Sequence, residues 1–146
     1  MQAFECKMCG RCCEGRGGIV LTARDLERIS AHLGLSLAEF RAAYAERRGH
    51  KLVIRSGEDN FCVFFAQGKG CTVHQGRPDI CRAWPFFKGN LVDGVSLEMA
   101  AADCPGINFK AGFAEFRRQG LEYLEANGLI ADEDDVFAAN ALKIKK

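Results

Sequence analysis

Four cysteines fall within eight residues near the start of the chain: Cys6, Cys9, Cys12 and Cys13 in CKMCGRCC. Thiols this dense must bond to one another or to a metal, so whatever the rest of the chain builds has to close around them. The other cysteines, Cys62, Cys71, Cys81 and Cys104, arrive singly from far along the sequence. The fold must therefore bring distant loops back to the N-terminal segment if all eight are to serve related sites.

The bonding partner depends on the compartment. Met1 to Glu5 carries neither a basic nor an apolar leader-like stretch, and no apolar run approaches the roughly 20 residues of a membrane span. The expected location is cytoplasmic. Clustered cysteines in a reducing cytosol are metal ligands or redox centres rather than structural disulfides. In a secreted protein, eight cysteines would permit roughly a hundred pairings, among which sequence could not choose. With 146 residues the chain suits one domain and is long enough to fold without cross-links. Its 20 basic and 19 acidic residues leave a net charge of +1, which points to neither nucleic acid nor an anionic membrane as a partner.

The pattern along the chain predicts an α+β fold: a small cysteine-rich metal-binding domain with a helical hairpin, a short antiparallel sheet and C-terminal helices. Gly15-Arg16-Gly17-Gly18 reads as a turn and Ile19 to Leu21 as an extended piece. Thr22 with Asp25, then Ser36 with Glu39, are two capping-box starts. The first helix, with Leu26, Ile29 and Leu33 on one face, should stop at Gly34. The second, with Leu37, Phe40 and Tyr44 on one face, should run to about Arg48. Lys51 to Arg55 and Phe61 to Phe65 read as strands, with a turn at Gly68 to Gly70 leading into Cys71. Arg77-Pro78-Asp79-Ile80-Cys81 opens a single helical turn that Trp84-Pro85 breaks. Leu91 to Met99 is expected to be extended. Phe113, Phe116, Gly120 and Leu124 share a helix face ended by Asn127-Gly128, and Asp132 to Leu142 is expected to form a last helix with an acidic start. We expect a single domain over 1–146, with a metal-binding core at about 4–106 and a helical extension at about 110–146.

The spacing of the thiols bears on the metal. A Cys-x-x-Cys loop can aim two thiolates at one ion, and tetrahedral zinc at about 2.3 Å accepts that geometry. Zinc ribbons usually combine two such pairs, and here only one clean pair exists, with the partners arriving singly from distant loops. Cys6-x-x-Cys9-x-x-Cys12 matches the first three positions of a bacterial ferredoxin run, whose fourth cysteine precedes proline, and Cys104-Pro105 is a remote cysteine of that kind. The adjacent Cys12 and Cys13 point in different directions on most backbones, so they need not serve one metal in the same way. A thiolate centre is anionic, and Arg11, Arg77 and Arg82 stand near cysteines where they can offset its charge; they can equally be solvated or pair with Asp79 and Glu14. Trp84, Phe86 and Phe87 can keep water from such a centre or simply fill the core.

The CxxCxxCC segment, then Cys62-Val63-Phe64-Phe65, then Gly70-Cys71-Thr72-Val73-His74-Gln75-Gly76-Arg77-Pro78-Asp79-Ile80-Cys81-Arg82-Ala83-Trp84-Pro85-Phe86 and Cys104-Pro105-Gly106 resemble the YkgJ-like cysteine-cluster family, a zinc- or iron-chelating domain, over about residues 4–106. The resemblance implies metal-chelating roles for Cys6, Cys9, Cys12, Cys13, Cys62, Cys71 and Cys81, with Cys104 as a further candidate. His74 stands where many relatives have tyrosine, so no ligand role transfers to it. His32 and His50 read as surface residues. Flagellin lysine methylases carry a related cysteine signature, which keeps a cluster-dependent enzyme in view, although no cofactor domain or catalytic triad stands out here.

Three functions fit these residues. One is a metal protein holding a [4Fe-4S] centre, or two, for electron transfer, sensing or metal handling. Another is a zinc-stabilised module that binds a protein partner. The third is an enzyme whose cluster has an open coordination position.

Overall fold

The computed structural model describes residues 1–7, 19–66 and 69–145. The fold is α+β. Val20–Leu21 forms β1, and helix α1 follows at once over Ala23–Leu33. Both halves of the capping box are made: the Thr22 side chain accepts from the Asp25 amide, and the Asp25 carboxylate accepts from the Thr22 amide. The helix ends at Gly34. Ser36 and Glu39 repeat the reciprocal cap at the start of α2, Leu37–Tyr44.

Helix α2 is shorter than its periodicity suggests. It stops at Tyr44, and Ala45–Arg48 is β2, hairpinned through Gly49 and His50 onto β3, Lys51–Ile54. Each residue of β2 has a partner on β3, from Ala45 opposite Ile54 to Arg48 opposite Lys51. That ladder bonds the backbone just as another helical turn would, and it buries Ala45 while leaving Arg47 and Arg48 in solvent. Sheet order is β1-β3-β2, all antiparallel. The run from Phe61 does not pair along β3; a single bridge, Ser56 to Cys62, joins them. A second small sheet pairs β4, Phe65–Ala66, with β5, Gly70–Cys71. Of the turn expected at Gly68 to Gly70, Gly68 lies outside the described residues.

Past a 3-10 turn at His74–Gly76 come the one-turn helix α3, Asp79–Ala83, then α4, Lys88–Val92, and α5, Gly94–Asp103. The last two correct the expectation of an extended Leu91 to Met99. Leu91 and Leu97 are both buried, one on each helix, and Asp93 caps α5 by accepting from the Val95 amide. Helix α6, Phe113–Ala126, buries Phe116, Gly120 and Leu124 as its pattern predicts. At Gly120 a β-carbon would lie 2.7 Å from Phe86 and 2.8 Å from Leu91, so glycine lets these side chains close on the helix.

No α-helix forms over Asp132 to Leu142, which holds turns and a 3-10 turn at Asn140–Leu142. The Asp135 carboxylate accepts from the Phe137 amide, a local bond of the kind by which aspartate competes with helix. The Ala131 amide meanwhile donates to the Leu142 carbonyl, so the segment folds back on itself.

Two buried clusters hold the fold. The larger gathers Ala3, Ile80, Phe86, Leu91, Leu97, Cys104, Phe116, Leu124 and Leu142, drawing on both termini. The smaller gathers Leu21, Ile29, Phe40, Ile54, Cys62, Phe64 and Val73 between α1, α2 and the strands. Among the described residues no helix is long and apolar enough to cross a membrane.

Candidate metal centre

The N-terminal strap is tied to the segment after Cys104. Phe4 bridges Ile107, the Glu5 amide donates to the Gly106 carbonyl at 2.9 Å, and the Asn108 amide donates to the Ala3 carbonyl at 2.8 Å. At Gly106 a β-carbon would stand 2.3 Å from the Glu5 carbonyl oxygen, a distance no side chain tolerates. Gln119 on α6 completes the tie: its oxygen accepts from the Ala3 amide and its nitrogen donates to the Met1 carbonyl. The chain therefore delivers Cys6 to a fixed place, and Cys6 is exposed there.

That place is one wall of a cavity of about 320 Å³ which Cys81, Arg77 and Arg82 also line. Cys81 comes from α3, and α3 is held by charge. Asp79 is almost fully buried; Arg24 and Arg28 from α1 both grip its carboxylate, at 2.6 and 3.1 Å, and its amide donates to Asp25 at 2.8 Å. Arg28 also donates to the Arg77 carbonyl, which accepts from Arg82 as well, each at 2.9 Å. Arg77 in turn donates to the His74 carbonyl at 2.8 Å, and Arg82 to that of Gln75.

The pairing of Arg77 or Arg82 with Asp79, one of the alternatives left open by the sequence, is not what forms. The arginines of α1 take the carboxylate, and the loop's own arginines bind loop carbonyls. Arg24, Asp25 and Arg28 are the residues that motif reasoning missed. The Thr22 to Asp25 capping box hid Asp25, because its carboxylate serves the cap and the loop together.

Electrostatics follow from this crowding. Burial raises the pKa of the Asp25 carboxyl above its ordinary value, and the nearby Asp79 charge adds to the rise against the amide bonds that lower it. Burial, with the charges of Arg28 and Arg77, lowers the pKa of Arg82. His74 is likewise lowered, first by burial and then by Arg77 and Arg82. Its Nε2 is buried with no hydrogen-bond partner among the described residues. His32 and His50 are exposed, as expected.

Cys62 and Cys71 belong to the smaller cluster. The Phe64 amide points at Cys62 Sγ at 3.5 Å, and both the amide and the hydroxyl of Thr72 bond the Phe64 carbonyl. Rings close round them: Phe64 lies 4.8 Å from Tyr44 and 6.2 Å from Phe40, and Phe61 stacks on Phe65 at 4.6 Å. Cys104 is buried in the larger cluster, with Cys81 packed against that cluster's edge. Phe86 is core, while Trp84 is half-buried, packs edge-on to Phe87 and lines the cavity.

Among the described residues no three histidine, cysteine or acidic side chains converge into a metal-binding group. Cys9, Arg11, Cys12 and Cys13 lie outside those residues. What is described fits a thiolate centre in kind: two cysteines on one cavity with cations and aromatic side chains beside them, while the amide aimed at Cys62 belongs to the other cluster. No solved structure matches this chain. The family comparison does: a model of the CxxCxxCC family matches residues 5–105, and the chain thus belongs to that family, described as a putative zinc- or iron-chelating domain.

Proposed function

We propose that this chain is a cytoplasmic iron protein in which a [4Fe-4S] centre serves electron transfer, redox sensing or metal handling. The observation that carries the reading is that Cys6 and Cys81, 75 positions apart, line one cavity with Arg77 and Arg82. In this reading Cys6 and Cys81 ligate the metal together with two of the three thiols of Cys9, Cys12 and Cys13. The guanidinium groups offset the thiolate charge, and the centre when bound supplies one-electron chemistry. Cationic neighbours and amides aimed at sulfur stabilise the more reduced, more negative state and so raise the potential. Cys62 and Cys71 sit in a different buried cluster, and that favours a second centre for them, iron-sulfur or zinc. We read the whole chain as one domain, with residues beyond about 110 buttressing the core.

Purification without oxygen tests this directly. The protein should be brown, with broad visible absorption and iron and sulfide in the preparation. A colourless protein with stoichiometric zinc and no iron would establish the zinc module instead. Cysteine-to-serine exchange scored by metal content should show the largest losses at Cys6, Cys9, Cys71 and Cys81, and the smallest at buried Cys104.

A further inference from the structure

We propose that the cavity beside Cys6 and Cys81 is a binding site for a small organic carboxylate, held through the guanidinium of Arg77 with help from Arg82. This deepens the metal-centre reading and rests on it for one wall of the site, where the two sulfurs would carry the metal. The case begins with unspent donors. Arg77 uses Nε on the His74 carbonyl, and its two terminal nitrogens have no acceptor among the described residues. Arg82 uses Nε and Nη2 on the Arg77 and Gln75 carbonyls, and its Nη1 has no acceptor among the described residues. A guanidinium keeps its charge and presents N–H donors in a planar fork that matches a carboxylate.

Among the described residues no acidic side chain lines the cavity. The nearest carboxylate in the network, Asp79, is already gripped by Arg24 and Arg28. Beside Gln2 and Gln119 the remaining lining is aromatic, from Phe4, Trp84, Phe86 and Tyr123, which suits a carbon body better than a bare inorganic anion. A volume of about 320 Å³ lies at the small end of organic-ligand sites and exceeds what a single zinc ion fills.

Calorimetric titration of the anaerobically purified protein, with metal content measured on the same sample, tests the assignment. The probes are benzoate, neutral benzyl alcohol and inorganic phosphate. Benzoate should bind once per chain, about tenfold or more tighter than either of the others, as charged hydrogen bonds require. Arg77→Gln should weaken benzoate about tenfold per folded chain, and Arg77→Lys, which keeps charge but not the fork, should fall between. Equal binding of benzoate and benzyl alcohol by the unaltered protein overturns the proposal, with no variant needed. So does phosphate binding as tightly as benzoate, or a folded Arg77→Gln protein of unchanged affinity. Arg77-dependent benzoate binding by protein without metal sustains the site and overturns the metal-centre reading alone.

Discussion

The turn that carries Cys81 and the hairpin that carries Cys62 and Cys71 are held by opposite means. Around Cys81 the fastening is ionic: a buried carboxylate, two arginines from α1 and a series of guanidinium bonds to loop carbonyls. Around Cys62 it is aromatic, with Phe40, Tyr44 and Phe64 in ring contact. An ionic clamp fixes direction, because hydrogen bonds are directional, and it places Cys81 and its arginines toward one cavity. A ring cluster fixes position by excluding water but leaves orientation to packing.

The comparison can be broken from either side. Phe40 is fully buried, and Phe40→Ala should cost about 3–5 kcal/mol in urea unfolding. Hydrogen exchange should then quicken at the Phe65 and Thr72 amides of the hairpin before it does at Cys81 and Arg82. Equal loosening of both regions would show that the two neighbourhoods are one cooperative unit.

Asp79→Asn attacks the ionic side. It takes the only carboxylate that Arg24 pairs with among the described residues and leaves Arg28 the longer Asp25 contact at 3.4 Å, and because Arg24 is half-exposed the cost should be about 2–4 kcal/mol, below that of a wholly buried pair. Exchange should rise at Cys81 and Arg82 and stay slow in the hairpin. Gly106→Ala, which forces a β-carbon against the Glu5 carbonyl, should cost about 1–3 kcal/mol and lower metal content by displacing the strap before Cys6. Metal content unaffected by a folded Gly106→Ala protein would detach the strap from the centre.

Smaller effects should follow pH. The His74 pKa is lowered in the folded state, so the folded protein disfavours the imidazolium. Its contribution is present above the ordinary histidine value and is lost as pH falls below it. The urea midpoint should drop from about pH 7.5 to about pH 5.5, and drop less in His74→Gln. Asp25 has the opposite sign: its raised pKa favours folding most in acid, below the ordinary aspartate value, and that contribution is lost as pH rises through the folded value. The smallest change belongs to Glu115 at the surface of α6, which Arg118 and Gln119 hold down to about 2. Its contribution is present above the ordinary glutamate range and is lost as pH falls toward about 2, so Glu115→Gln should flatten only the acid limb.

Local signals were legible wherever the physics is local. Thr22 with Asp25 and Ser36 with Glu39 specify helix starts because the bonds they make span three residues, and the α6 face from Phe116 to Leu124 shows as a simple period. The misreadings fall where a distant partner decides. Ala45 to Arg48 would extend α2 by composition, but β3 offers a ladder; Leu91 to Met99 has an ambiguous apolar pattern that the core resolves into two helices. For the site, sequence named Arg77 and Arg82 as neighbours of a cysteine. It had no means of showing that α1 would take Asp79 and free them from it, since Arg24 and Asp79 are 55 positions apart.

By itself the sequence determined the fold class, the helix starts and the family signature of thiols, because each is written in short-range spacing. Only the tertiary structure decided that Cys6 and Cys81 meet at one cavity while Cys62 and Cys71 fall in another cluster. The physical reason is that thiols carry no directional code along the chain. Where they end up is set by what fastens their loops, here buried charge on one side and packed rings on the other.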